Sequence, residues 1–322
     1  MLAAFVSTPA PKDPLSVLEV GDRPEPEAPD GWTTVQVKAV SLNHHDLFSL
    51  QGIGLPQERM PMILGTDAAG LDEDGNEVVV HGVVATPDWT GDETLDPKRT
   101  LFSELHQGTM AEKVVVPRRN LLPKPADLSF AEAACLPTAW LTAYRMLFVQ
   151  GACKPGETIL VQGAGGGVAT ALITLGRAAG LTVLATSRDE AKRARARELG
   201  AHDVFESGAR LPVKVDAVME TVGKATWTHS IRSLRPGGRI VISGTTSGPD
   251  VDDAGLTHVF FKQLSIIGST MGTRGELDAL VKFLDATGAR PLVDRAIPMD
   301  QARDGFAAMA EGDVFGKIVF TR

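Results

Sequence analysis

Two groups of residues in this 322-residue chain have types and spacing that can do chemistry. The first is the run Gly163-Ala164-Gly165-Gly166-Gly167-Val168. Glycines let a backbone approach a pyrophosphate closely, and a helix that begins there offers unpaired N–H groups and a positive dipole end. Read strictly from Gly163, the spacing G-x-G-x-x-G ends on Val168, where a third glycine normally gives close helix–strand packing. The wider spacing G-x-x-G-x-x-A, through Gly163, Gly166 and Ala169, ends on a small residue and is the preferred register. The second group is Asn43-His44-His45-Asp46, an amide, two imidazoles and a carboxylate in succession. Adjacent side chains do not converge readily on one ion, so His44 and His45 read as cleft-lining or surface groups rather than metal ligands.

Glycines alone are a weak signal, and their surroundings decide. Residues 158–161 form a short apolar run that suits a buried strand. Beyond the glycines, Val168, Leu172, Leu175 and Ala179 follow a helical spacing, and residues 181–185 are a second apolar run. Strand, turn, helix and strand make a βαβ unit of the length a right-handed crossover needs, so a dinucleotide is the expected ligand. The tip of the second strand selects the cofactor. An NAD site wants a carboxylate about 20 residues after the glycines. Here the tip is Thr186-Ser187-Arg188, with Lys192 one helical turn later. Ser187, Arg188 and Lys192 suit a ribose phosphate, and NADP(H) is expected over NAD(H). Asp189 could hold the ribose instead, but an N-cap or first-turn acid for a helix over 190–199 is its more natural role. Arg193, Arg195 and Arg197 read as a solvated face.

The elements around these groups change character along the chain. Residues 1–125 are short strands punctuated by Pro and Gly: 2–7, 17–20, 33–41, 77–81 and 110–116, with a short helix over 45–50. The stretch 82–108 is acidic and weakly periodic, and is expected as a long loop or lobe. From Ser129, which opens a capping box with Glu132, the pattern turns helical, with Pro137 expected to split it into two helices. Strands then recur at 203–205, 215–219, 239–243 and 264–269, with helices between them, notably 226–234, and a helix over 273–285 follows. Two strands, 292–297 and 317–320, flank a helix over 301–310 in the tail. Such alternation signals a doubly wound parallel sheet beside a β-rich part.

Composition narrows the partners. A net charge of −8 argues against nucleic acid or an anionic membrane. Cys135 and Cys153 are the only cysteines, too few for a disulfide framework and consistent with reduced thiols. No basic leader precedes the first apolar run, and no apolar stretch is long enough to span a bilayer. A soluble, cytoplasmic protein with a small-molecule substrate is expected.

In its motifs the chain resembles the medium-chain dehydrogenase/reductase superfamily, in the zinc-free quinone oxidoreductase and enoyl reductase branch. The marks are NHHDLFSLQG (43–52), ILGTDAAG (63–70), GTMAEKVVVP (108–117), AACLPTAWLTAY (133–144), KPGETILVQGAGGGVA, LRPGGRIVISG, LSIIGSTMG and FGKIVF. Their order and spacing cover nearly the whole length. The resemblance implies an α/β protein: a GroES-like β domain over 1–125, completed by 290–322, and a Rossmann domain over 126–289. The active site would lie in the cleft between them.

Zinc members of the superfamily have Cys at the position of Asn43 and Gly-His-Glu at Gly65-Thr66-Asp67, so the resemblance implies a metal-free site here, Cys135 near the third ligand position notwithstanding. It also implies that Asn43 and Asp46 line the cleft, with Asn43 able to donate to a substrate carbonyl; for Asp46, a structural acid at the helix start is the slightly preferred reading. Thr138 matches the family residue near the nicotinamide. Val222, Gly244, Thr245, Ser269 and Thr270, at strand ends, join the glycine turn in binding the cofactor. A catalytic Tyr of related enoyl reductases has no counterpart in the loop after Gln51-Gly52, since Tyr144 is the only tyrosine. Water, His44 and His45 remain as proton sources. The implied reaction is NADPH-dependent reduction of a quinone or α,β-unsaturated carbonyl. The rivals are an alcohol dehydrogenase of the same fold and a cofactor-binding protein without turnover. A homodimer pairing through the 264–269 edge strand is expected.

Overall fold

A computed structural model describes all 322 residues. The chain divides into two compact units, one of residues 1–139, 271–285 and 290–322, the other of 140–270 and 286–289. Residues 126–139 and 271–285 thus belong with the β-rich part. No helix is long and apolar enough to cross a membrane.

In the first unit a small antiparallel sheet centres on Leu2–Val6, flanked by Leu18–Asp22 and Met62–Ile63. A larger sheet runs in the order Leu121–Pro123, Glu77–Val80, Ala68–Leu71, Trp32–Ser41, Lys317–Thr321 and Val293–Pro298; Lys113–Pro117 also pairs with Trp32–Ser41. Along Trp32–Ser41 burial alternates through Thr33, Val35 and Val37, as a strand with one covered face requires. From Ala39 to Ser41 every side chain is buried, so the strand enters the interior just before Asn43. Its partner there is the tail. Ser41 pairs with Val319 in an antiparallel register, and the Leu42 amide donates to the Ile318 carbonyl. The next step of that register sets Lys317 opposite Asn43. Gly70 permits the sheet to close, because a Cβ there would sit 2.1 Å from the Gln36 carbonyl oxygen.

The second unit is built on six parallel strands in the order Asp203–Phe205, Thr182–Thr186, Thr158–Val161, Val215–Glu220, Leu234–Ile242 and Ser265–Gly268. In sequence rank this is 3-2-1-4-5-6, the doubly wound order whose direction reverses between the first and fourth strands. Central strands are buried on both faces, which explains their unbroken apolar runs.

Several expectations are corrected. The segment 82–108 has order of its own, a strand pair of Val83–Val84 with Thr100–Leu101 and a helical turn at Glu93–Leu95. Two of its acids are used locally. Asp96 accepts from the Thr86 amide and hydroxyl and from the Lys98 amide, and Asp92 from the Thr94 amide and hydroxyl. Pro137 does not divide two α-helices. Phe130–Ala133 is followed by a wide π-type turn at Leu136–Trp140, a short α segment at Leu141–Tyr144 and a second π-type stretch at Arg145–Gln150. The helix expected between the strands at 239–243 and 264–269 is Leu256–Phe261.

Candidate functional site

In the first unit, side chains from three distant segments close on the Asp67 carboxylate, which is fully buried. Oδ2 accepts from the Ser41 hydroxyl at 2.5 Å and from Asn43 Nδ2 at 2.9 Å. Oδ1 accepts from the Thr138 hydroxyl at 2.5 Å. Lys317, only 3 % exposed, brings its ammonium 3.8 Å from Oδ2 and donates to the Asn43 Oδ1 at 2.6 Å and the Leu42 carbonyl at 2.7 Å. Thr66 completes the ring, its hydroxyl 3.0 Å from that of Thr138 and 3.3 Å from Asn43 Nδ2. Each polar group has a partner, as low-dielectric burial demands.

This arrangement corrects the expected role of Asn43. Its amide nitrogen is already spent on Asp67, Thr66 and the Ser41 carbonyl, and its oxygen on Lys317. No N–H remains for a substrate carbonyl. Asp46 takes its structural reading: its carboxylate accepts from the Asn43 amide at 2.8 Å and the Gly65 amide at 3.0 Å, pinning the loop that carries Thr66 and Asp67 to the start of the helix His44–Leu50. Burial pushes its pKa up to about 6, against the opposing pull of His45 and the Asn43 amide. Thr138 is half-buried and hydrogen-bonded within the same ring.

The two histidines diverge. His44 is exposed, yet protein crowds it enough that desolvation, with the Lys317 charge, lowers its pKa. His45 is half-buried, and its Nε2 lies 3.3 Å from Glu104 Oε1. Burial opposes its charge, but the Glu104 hydrogen bond and the nearby Asp46 and Asp67 outweigh it and raise the pKa. Glu104 is held in turn by the Leu101 amide at 2.9 Å and the Thr100 hydroxyl at 3.2 Å. Sequence reasoning missed Glu104. It lies 59 residues from His45, in a segment whose pattern carries no code.

A zinc ion does not fit this donor set. Asn43, Thr66 and Thr138 offer neutral oxygens that are already engaged, and a lysine ammonium stands beside the one carboxylate, Asp67. Cys135 is fully buried, donates its thiol to the Ala131 carbonyl and has its pKa pushed up by burial to about 12, so it offers no thiolate. No group of three or more His, Cys, Asp or Glu side chains in the chain is arranged to hold a metal.

In the second unit the glycine turn has the geometry of an anion cradle. Gly163 has φ +74°, and a Cβ there would meet Val222 Cγ2 at 2.6 Å. Gly165 has φ +133°, and a Cβ there would meet the Lys192 side chain at 2.9 Å, so that side chain lies against the turn. Gly166 caps the helix Gly167–Ala178 with open space where a Cβ would stand. Val168 lies in the first turn of that helix, and Ala169 is buried, as the wider register requires. The turn is tied down by the Ala164 amide, which donates to the Thr186 carbonyl at 2.7 Å.

Beyond the turn, Ser187 is buried, and its hydroxyl accepts from the Asp189 amide at 3.2 Å. Asp189 caps the helix Glu190–Leu199 by accepting from the Lys192 amide. Arg188 is exposed and forms no ion pair. Arg193 is not simply solvated, since it donates to the Ser187 carbonyl at 2.7 Å. Below Val222, the buried Glu220 accepts from the Val222 and Gly223 amides and from Thr226 and Ser230. Gly244, Thr245, Ser269 and Thr270 follow the carboxyl ends of their strands, and the buried Ser269 hydroxyl has no protein partner. An open cradle and an orphaned hydroxyl along one edge fit a dinucleotide.

Residues 29–126 match the model of the alcohol dehydrogenase GroES-like domain, and residues 167–286 that of the zinc-binding dehydrogenase. A zinc-type alcohol dehydrogenase-like protein YogA of Leptosphaeria maculans is 31 % identical over 88 % of this chain and 89 % of its own. An acryloyl-coenzyme A reductase of Sulfurisphaera tokodaii is 26 % identical over 98 % of each. A solved structure described as an NAD-dependent alcohol dehydrogenase superposes with a TM-score of 0.93 at 33 % identity, covering 100 % of both chains.

Proposed function

The chain belongs to the medium-chain dehydrogenase/reductase superfamily of oxidoreductases, and we propose that within it this protein reduces an electron-poor C=C conjugated to a carbonyl, or a quinone, with NADPH and without a metal. The observation that carries the proposal is the closed ring around Asp67. Where zinc relatives have ligands, amide and hydroxyl groups bond one another and a lysine. Alcohol oxidation without a Lewis acid lacks the usual route to an alkoxide at neutral pH. An enone or quinone spreads the incoming charge onto oxygen and needs none. Acryloyl-coenzyme A reductases at 26 % and 27 % identity over nearly the whole chain favour an enoyl thioester as the acceptor.

The nicotinamide, when bound, supplies the hydride. The glycine turn and the helix N-terminus at Gly166 would hold the pyrophosphate, and the orphaned Ser269 hydroxyl is free to meet the nicotinamide end. Arg188 with Lys192 would hold the ribose phosphate, since Asp189 is already a helix cap. We assign the proton to His45. Its Nε2 lies 3.3 Å from Glu104 Oε1, and that hydrogen bond and charge raise the imidazole pKa against the opposing effect of burial. The open edge strand Ser265–Gly268 carries the exposed Ile266, and the helix Leu256–Phe261 just before it exposes Leu256, Phe260 and Phe261, all 45 % exposed or more, which supports a homodimer pairing through that strand.

The test is NADPH oxidation by metal-stripped protein against enones, enoyl thioesters, quinones and, in reverse, alcohols. Turnover of the first three without zinc is expected. Stoichiometric zinc with alcohol-only activity would overturn the reading in favour of an alcohol dehydrogenase, for which a Geobacillus stearothermophilus relative at 29 % identity speaks. NADH used as well as NADPH would remove the cofactor assignment alone.

A further inference from the structure

A recess in the second unit has no part in the reaction described above. It has a volume of about 550 Å³, within the range of small-molecule sites, and lies between the stretch 208–214 and one face of the helix Trp227–Ser233. Arg210, Lys214 and Arg232 line it, and no acidic residue does. Lys214 is fixed by donating to the Arg232 carbonyl at 2.7 Å. The guanidiniums of Arg210 and Arg232 form no ion pair. Just outside, Lys262 donates to the same carbonyl at 3.2 Å, and desolvation together with the Lys214 charge lowers its pKa. Cations are therefore gathered with no acid lining the recess, in a chain that is acidic overall; the carboxylate of Asp253 borders the adjoining cleft, which Arg232 also lines. Between them Leu211 and Val213, the latter 50 % exposed, present apolar surface. None of the glycine turn, Ser187, Arg188 or Lys192 borders the recess.

We propose that this recess binds an organic phosphate bearing two or more phosphate charges, a nucleotide 3′,5′-bisphosphate, with the phosphates on Arg210, Lys214 and Arg232 and the base against Leu211 and Val213. Planar guanidinium forks match phosphate oxygens bidentately, and a flat base suits the apolar wall. The inner wall is His229, held neutral because Nε2 donates to the Ala209 carbonyl at 2.9 Å while Nδ1 accepts from Gln162 Nε2 at 2.9 Å. Gln162 accepts in turn from the Thr186 hydroxyl at 2.6 Å, so one wall of the recess is hydrogen-bonded to the strand end that anchors the glycine turn.

Such a ligand has two sources, a free nucleotide or the coenzyme handle of an acyl thioester; the second arm rests on the enoyl-thioester reading, the first does not. The experiment is calorimetric titration of NADPH-saturated protein with adenosine 3′,5′-bisphosphate, repeated for Arg232→Gln and Arg210→Gln. Saturable one-to-one binding is expected, weakening with salt and at least tenfold weaker in either variant. No saturable binding, binding indifferent to both substitutions, or displacement by NADPH would overturn the site. Kinetics then separate the sources. A raised KM for an acyl-coenzyme A with kcat and the KM of a handle-free enone unchanged identifies the handle. Loss of bisphosphate binding with every KM unchanged identifies a free nucleotide. A wild-type protein that binds the bisphosphate but reduces no acceptor leaves the site standing and removes the proposed reaction.

Discussion

The Asp67 ring and the glycine turn treat polar groups in opposite ways. Around Asp67 each donor and acceptor is used, by side chains from four segments, one of which supplies a buried ammonium. At the turn, Gly166 faces open space and Arg188 beyond it has no ion-pair partner, and at the far end of the same sheet edge the Ser269 hydroxyl has no partner at all. A saturated ring holds a framework, whereas unsatisfied donors along one edge await a ligand. The contrast teaches where to look for each effect: substitutions in the ring should read out as stability, and substitutions at the turn as affinity.

The strongest challenge to that division is Asp67→Ala. It strands three donors and leaves the Lys317 charge uncompensated in the interior, so a loss of about 3–5 kcal/mol is expected in urea unfolding. Lys317→Met combined with Asp67→Asn should cost less than the two single changes added together, because the pair is one unit. A loss under about 1 kcal/mol for Asp67→Ala would mean the ring is not the closed framework described.

Nearly as large is an acid window set by His81, which is 1 % exposed and donates Nε2 to the Gly272 carbonyl at 2.8 Å. Burial lowers its pKa from 6.5 to about 4. The folded form therefore stays neutral where the unfolded chain takes up a proton. Its stabilisation is full above pH 6.5 and is lost as pH falls from there to about 4, a change of about 3 kcal/mol. His81→Gln keeps an N–H for Gly272 and should flatten stability over that window. An unchanged slope would assign the acid sensitivity elsewhere.

How much of this was legible in the sequence follows from how local each feature is. The glycine turn, its register through Ala169 and the βαβ unit depend on spacing within some thirty residues, and periodicity carries that. Lys317 and Asn43 meet across 274 residues because Ser41 pairs with Val319, a register that no spacing rule supplies. The resemblance marked both residues through their motifs without saying that they touch, and so Asn43 was read as a free donor. The 82–108 segment was opaque for another reason. Asp92 and Asp96 serve backbone turns, while Glu104 reaches His45 across 59 residues, so composition did not tell turn-forming acids from the one that faces the site.

Arg188→Gln probes the other side of the comparison. It removes a cation that has no structural partner, so thermal stability should not move. A charge-assisted hydrogen bond is worth about 1.5–3 kcal/mol, which predicts a tenfold to hundredfold loss of NADPH affinity with NADH binding untouched. Equal losses for both cofactors would make Arg188 a general electrostatic contributor instead.

Glu104→Gln should have the smallest effect and is the sharpest on mechanism. The carboxylate raises the His45 pKa by its hydrogen bond and charge, with Asp46 and Asp67 adding to it and burial opposing. A glutamine keeps the shape, and its oxygen still accepts from Nε2, but the charge is gone. The imidazolium then loses its proton at lower pH, so the limb along which kcat/KM falls with rising pH should move down while kcat on the acid plateau changes little. His45→Gln should abolish that limb and lower kcat about 10²-fold or more. If the limb stays in place in both variants, the proton comes from solvent. His45 would then join the Asp67 ring on the structural side of the division, and every residue of His44–Leu50 near the site would be framework.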